Sequence, residues 1–452
     1  MSVLFRDAEV GGKRLDVRIA DGVVTHLGNG LPPADETVDA AGGALLPGLH
    51  DHHVHLLALA AARASVAVGS EHVDGLDGLA RVLRQAPVRN GWVRATGYHE
   101  SVAGDLDRDV LDRVMPDVPV RVQHRGGALW ILNSAALRTI EGFLDETADV
   151  ERDASGRPTG RLWRYDARLR PALPSAPPDL GTVGRELAAL GVTGVTDATP
   201  DLDDAGVELL ARAHVGGLLP QRVTLLGASV AAATSAGFDA GPRKLMLRDH
   251  DLPTYDVLVA MIRRARNEQR PVAVHCVTRE SLILTLAALD EVGAATGDRI
   301  EHASVVPPEV MAWMARLGVV VVTQPDLVRS REDQYRSDVA TDDLPHLYPY
   351  ASLLEAGVEV CASSDAPYGT IDPWQVIATA SGRALGIHER VSAAIALDGY
   401  LRPPSSPGGQ ARRVLPGTPA DLVLLDRPLR EALAAPHARH VAATWIGGRL
   451  VT

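Results

Sequence analysis

The chain reads as an α/β protein: a (β/α)8 TIM barrel, with a small β-sandwich formed by both chain termini and a large insertion after strand 1. Three observations predict this. Eight short runs rich in valine, leucine and isoleucine recur through the central sequence, separated by helical patterns, as expected of parallel strands covered on both faces. Eight such strand–helix units suit a closed barrel. The two ends instead alternate apolar and polar residues, as half-buried strands do.

Taken in order, Leu15–Ile19 and Val23–Leu27 flank the turn pair Asp21-Gly22 and predict an N-terminal hairpin. The eight central runs are Ala44–Leu49, Gly191–Asp197, Gln221–Leu226, Arg243–Leu247, Pro271–His275, Asp298–His302, Val319–Gln324 and Val358–Ser364. Helices are predicted between them at Tyr255–Gln269, Glu280–Val292 and Pro308–Leu317, the last opening with a proline pair that suits a first helical turn. Residues 58–180 interrupt the rhythm, with apolar segments at Trp92–Tyr98 and Val118–Gln123 and a helix near Ser134. They are expected to form an insertion or cap that shapes the substrate pocket. Asp326 to Pro349 reads as a long charged loop, either a lid or a solvated connection. After the Pro/Ser/Gly-rich linker Pro403 to Gly409, Ala420–Leu425 and Ala443–Ile446 return as strands. Neither end could bury a core alone. The expected domains are therefore 1–47 with 410–452 as the sandwich, and 48–409 as the barrel.

Composition narrows the function. The chain has 452 residues, 46% of them apolar, and a net charge of −12, which argues against nucleic acid or an anionic membrane as the main partner. Two cysteines allow at most one disulfide. No apolar run approaches the roughly 20 residues that span a bilayer, and the first residues, MSVLFRDAEV, lack the pattern of a signal peptide. A cytoplasmic protein acting on small molecules is expected, with association into a homodimer left open. Of 45 basic residues, two are lysine, Lys13 and Lys244. Lysine can lose its proton and react as an amine, which arginine cannot do.

Polar residues end several of the predicted strands. His53 and His55 are two apart and point to one face. His275, His302 and Asp365 end the fifth, sixth and eighth strands. Side chains at that end of a barrel form the active site, and four imidazoles with a carboxylate suit zinc and similar ions. Lys244 lies on the fourth strand. Its amine, once combined with carbon dioxide, is an anionic carbamate whose two oxygens can bridge two metals. His52 points the other way by strand alternation. Cys276 and Cys361 are assigned to packing.

With these residues in view, the sequence resembles the amidohydrolase superfamily, and within it the amidohydrolase-3, YtcJ-like branch of metal-dependent hydrolases. The matching pieces are Pro47-Gly48-Leu49-His50-Asp51-His52-His53-Val54-His55, Gly191 to Asp197, Val274-His275, Arg299-Ile300-Glu301-His302-Ala303, Ser364-Asp365-Ala366-Pro367 and Ala420 to Asp426. Gly91-Trp92 to Tyr98, Asn133 to Leu137 and Pro158-Thr159-Gly160 carry the likeness into the insertion. The resemblance implies metal ligands at His53, His55, carboxylated Lys244, His275, His302 and Asp365, with a divalent metal, most naturally two zinc ions. Two positions depart from the branch: Ala128 stands where a histidine is usual, and Arg164 where a glutamate is usual.

The implied activity is hydrolysis of a C–N bond in an amide, formamide or cyclic amide. Metal-activated hydroxide is the nucleophile and Asp365 the general base. Esters, lactones and amidines remain alternative substrates on the same metals. A lyase, an isomerase or an inactive metal-binding homologue are further readings. His124, Arg125, Arg164 and Tyr98 are candidate substrate-binding residues, the arginines either recognising an anionic group or lying on an exposed face.

Overall fold

A computed structural model of the chain describes residues 2–173 and 178–452. The chain divides into two compact units, one of residues 1–56 and 180–452, the other of residues 57–179.

The first unit is built on eight parallel strands: β1 (Leu49–Val54), β2 (Val192–Asp197), β3 (Arg222–Leu225), β4 (Arg243–Leu245), β5 (Val272–Cys276), β6 (Arg299–His302), β7 (Val320–Thr323) and β8 (Glu359–Ala362). They form two sheets. One runs β1-β2-β3 and ends in the short strand Asp239–Ala240; the other runs β4 to β8 in order. Both margins carry hydrogen bonds. At one, Gly241 N donates to Leu225 O at 2.9 Å, Lys244 N to Leu226 O at 3.1 Å and Arg243 N to Pro271 O at 2.7 Å. At the other, just beyond β8, Asp365 N donates to His53 O at 2.8 Å and His55 N to Ala366 O at 2.9 Å.

Helices Tyr255–Asn267, Arg279–Val292 and Pro308–Leu317 follow β4, β5 and β6. The third shows why such segments are helical. Pro308 supplies a preset φ at the first turn, Val310, Met311 and Met314 form the buried face, and Gly318 ends the helix with φ of +67°, a conformation that costs glycine nothing.

Two four-stranded sheets lie at the chain ends. The first, from Ser2–Val10, Lys13–Ala20, Val23–Gly28 and Glu36–Asp39, uses only N-terminal residues. The second combines Leu45–Pro47 with Leu422–Leu425, Val441–Ile446 and Arg449–Leu450. They share one apolar cluster, in which Phe5, Val17 and Ile19 meet Leu45, Leu422 and Trp445.

The expected first strand, Ala44–Leu49, is corrected by this arrangement. Leu45–Pro47 pair antiparallel with the C-terminal strand, and the parallel strand is Leu49–Val54. The apolar run belongs to the terminal sheet, whereas β1 reads as polar because its histidines face built polar partners while remaining buried. The expected loop from Asp326 is also corrected. It holds helices Asp326–Ser330 and Glu332–Asp338 and a turn of 3-10 helix at Leu344–His346. Leu327, Val328, Leu347 and Tyr348 bury together with Leu385, so this charged segment packs on a small apolar core.

The second unit contains a six-stranded sheet in the order Val150–Arg152, Pro158–Trp163, Leu129–Leu132, Val120–His124, Val93–Tyr98, Val66–Ala67. Alternation along Leu129–Leu132 feeds two cores. Leu129 and Ile131 enter one, Trp130 and Leu132 the other.

Candidate metal centre

The strand ends of the first unit bring the predicted ligands together. His53 and His55 alternate along the chain and converge, with ring centroids 5.3 Å apart. Asp365 Oδ1 lies 3.4 Å from His53 Nε2 and 3.2 Å from His55 Nε2. These three side chains place one ligand atom each within 4.8 Å of the others and could hold a metal ion. His302 continues the cluster, its ring 4.9 Å from that of His53 and 4.6 Å from that of His275. Lys244 is buried on β4, and its charge acts on His53, His275 and His302. His52 points away, with Nε2 3.2 Å from Gly399 O, and the Cys276 thiol faces Thr285 Oγ1 at 3.4 Å.

Two of these residues sit in unusual backbone conformations. His302 has φ of +71° and Asp365 of +53°, a region costing a non-glycine residue roughly 1–3 kcal/mol. Asp365 is held there by its backbone bond to His53 O. The turn swings its carboxylate back over β1.

Three residues not singled out from the sequence fix the imidazoles. Glu301 Oε2 is bonded to His53 Nδ1. Gln324 Oε1 accepts at 2.7 Å from His302 Nδ1, and Thr199 Oγ1 lies 3.3 Å from His55 Nδ1. Each contact occupies Nδ1 and leaves Nε2 for a ligand. The available signal was Arg299 and Glu301, two opposite charges on one face of β6. Tyr368 packs edge-on against His55, centroids 5.4 Å apart.

Burial dominates the electrostatics. It holds the Lys244 ammonium below the ordinary lysine value, although Glu301 and Asp365 pull the other way. Burial also raises the Asp365 carboxyl, but the His55 imidazole beside it and the charges of His53 and His302 outweigh it and leave the group well below the usual carboxylate range. His53 is held down to about 3, by burial first and by Lys244 next. His275 and His302 are also lowered, chiefly by burial. An unfolded imidazole titrates near ~6.5. As pH falls from there, the unfolded chain takes up protons that the folded site refuses, so stability is lost progressively toward about 3. The metal-free protein should therefore unfold at lower urea concentration at pH 5 than at pH 7. Equal midpoints would mean that these imidazoles are protonated in the folded chain.

The four substrate-side candidates lie in the second unit, at one end of its sheet. Tyr98 is fully buried in an apolar core and its hydroxyl donates to Gly104 O at 2.6 Å, a packing position. Arg125 and Arg164 are half-buried on turns. His124, His99 and Glu100 form another group of metal-type side chains, but their hydrogen bonds oppose that use. Gly126 N donates to His124 Nδ1 at 3.0 Å and Ser101 N to His99 Nδ1 at 3.1 Å. In the neutral rings the protons then sit on Nε2, and that of His124 points at Glu100 Oε2, 3.1 Å away.

A sequence profile described as the amidohydrolase family matches residues 36–452. The N-substituted formamide deformylase of Arthrobacter pascens is 27% identical, with 95% of this chain and 92% of that protein covered. The YtcJ protein of Bacillus subtilis is 25% identical, with 82% and 80% covered. A crystal structure of a metal-dependent hydrolase from Pyrococcus horikoshii superposes with a TM-score of 0.76 at 19% identity, covering 97% of this chain and all of that one. That last likeness concerns the fold. The profile spans nearly the whole chain, including the positions of the cluster, so the chain belongs to the amidohydrolase family and is an enzyme of that family.

Proposed function

We propose that this enzyme hydrolyses the C–N bond of an amide, formamide or cyclic amide at a paired divalent-metal site held by His53, His55, Lys244 as its carbamate, His275, His302 and Asp365. The observation that carries this reading is a set of buried polar atoms. His53 Nε2, Asp365 Oδ1 and Lys244 Nζ have no hydrogen-bond partner among the described residues. Each such atom costs about 1–3 kcal/mol if left unsatisfied, and their chemistry (imidazole nitrogen, carboxylate oxygen, reactive amine) is that of a metal site after carbamylation. The lowered Lys244 ammonium favours the neutral amine, the form whose nitrogen attacks carbon dioxide and releases a proton to give the carbamate. We read the eight parallel strands as a closed (β/α)8 barrel, supported by the hydrogen bonds at both margins. The terminal sheets are read as a β-sandwich, supported by their shared core, and residues 58–180 as an insertion after the first strand.

Bound divalent ions supply acidified water and a polarised carbonyl. The chain's own part is proton transfer and orientation. Asp365, ionised through the neutral range, takes a proton from the attacking water. It returns that proton to the nitrogen as the C–N bond breaks, giving an amine and a carboxylic acid. Glu301, Gln324 and Thr199 keep the imidazoles turned. Tyr368 forms a wall beside His55. A formamide is the first substrate to test, since a formamide deformylase is among the relatives.

The test is metal content by plasma mass spectrometry on protein purified without chelator and with bicarbonate, followed by amine release from N-substituted formamides, linear amides and cyclic amides. About two equivalents of metal per chain are expected, with turnover that chelator removes and added metal restores. Turnover confined to lactones or to amidines would replace the C–N reading with esterase or deaminase chemistry. Protein that takes up no zinc or manganese would overturn it.

A further inference from the structure

We propose that Glu301, braced by Arg299, determines which nitrogen of His53 is open to the metal, and so sets the metal affinity of the site; this rests on the metal reading above. All three side chains are essentially inaccessible to solvent. Arg299 and Glu301 are two apart on β6 and share a face. The Arg299 Nε–H is bonded to Glu301 Oε1, and Glu301 Oε2 to His53 Nδ1. Arg299 Nη2 also donates to His52 O at 2.7 Å, so the arginine grips the backbone of β1 one residue before the histidine that its carboxylate partner orients.

The chemistry allows one proton arrangement. A neutral imidazole carries one N–H, and a carboxylate offers only acceptors. With Oε1 engaged by the guanidinium, Oε2 draws the imidazole proton to Nδ1. The lone pair is then on Nε2, the atom 3.4 Å from Asp365 Oδ1. A group that donated to Nδ1 would move the proton to Nε2 and close the ligand position. Glu301 is thus a positioning residue acting through His53.

This predicts the effect of a near-isosteric change. In Glu301→Gln the amide oxygen faces the Arg299 donor, so the amide NH2 faces His53 Nδ1 and donates to it. Metal affinity, read by chelator competition with Zn2+ and with Co2+ on metal-free protein, should fall about 10–100-fold. Arg299→Met added to Glu301→Gln frees the amide to turn its oxygen toward Nδ1, and affinity should recover most of that loss. A purely structural pair gives no such recovery.

If Glu301→Gln alone does not fold, R299M/E301Q is compared with R299M/E301L. Both lack the buried charges and the bond to His52 O, and they differ in the acceptor for His53. Tighter binding by the glutamine variant, again about 10–100-fold, is the expected result. Equal affinities in that pair, or Glu301→Gln binding metal like the wild type, would overturn the proposal. A wild-type chain that binds no metal would instead overturn the metal reading on which it stands.

Discussion

Asp365→Asn should lower kcat by about 10²–10⁴-fold, the range lost with a general acid–base group, while metal content stays at the wild-type level. The substitution isolates the proton-transfer role. Asparagine keeps the size of the side chain and an oxygen that can still ligate, but it cannot take up a proton at neutral pH. It is also the residue best suited to the backbone there. Asp365 has φ of +53°, and asparagine tolerates that region better than most side chains, so the bond from its backbone nitrogen to His53 O should persist. Alanine would confound the result by straining the turn and removing a ligand at once. The wild-type carboxyl lies well below the usual carboxylate range, so the acid limb of the wild-type rate profile should lie below the normal carboxylate pKa; in the variant the remaining activity should lack that limb. The check is kcat against pH, with metal measured on the same samples. Robust turnover by a fully metallated Asp365→Asn would show that another group moves the proton.

The contrast between what could be read from the chain and what could not has a physical basis. His275, His302 and Asp365 stand out because each ends a predicted strand, and His53 and His55 because a spacing of two puts them on one face; a buried polar side chain in such a place is costly without a purpose. Their convergence then depends only on strand order. Helix Pro308–Leu317 was legible to the residue, because proline and glycine mark its two ends. Leu45–Pro47 was not, because an apolar run looks the same whether its partner is a neighbouring parallel strand or one from the far end of the chain. The helices after Asp326 were hidden by their charge, their core being supplied partly by Leu385, far along the sequence. Glu301 and Gln324 matter through contacts with His53 and His302. The Arg299–Glu301 pair marks the strand, but which imidazole each residue orients is fixed only once the neighbours are in place. The cluster of His99, Glu100 and His124 shows the reverse case. Ligand-type residues meet there, and two backbone N–H groups settle the tautomers against a metal.

Lys244→Arg should abolish paired metal binding, reducing metal from about two equivalents to one or fewer and taking turnover with it. Lys244 is 3% exposed, and its Nζ has no hydrogen-bond partner among the described residues. Burial lowers its ammonium pKa against the pull of Glu301 and Asp365. A guanidinium cannot be neutralised in that way, so arginine would set a fixed positive charge where the reading requires an anion. Arginine fills 43 of the 45 basic positions, yet this buried one has remained lysine. Lys244→Ala separates charge from chemistry. It should also lose paired metal, but a short carboxylate such as acetate or propionate, added with zinc, can enter the vacated space and offer the two oxygens the carbamate would have offered. Metal content and activity should then rise together with carboxylate concentration, and the same additions should leave Lys244→Arg inactive. Carbon-13 bicarbonate gives an independent reading, as a carbamate resonance present in the wild type and absent from both variants. Full activity with two bound metals in Lys244→Arg would dispose of the carbamate and leave Lys244 a buried structural amine.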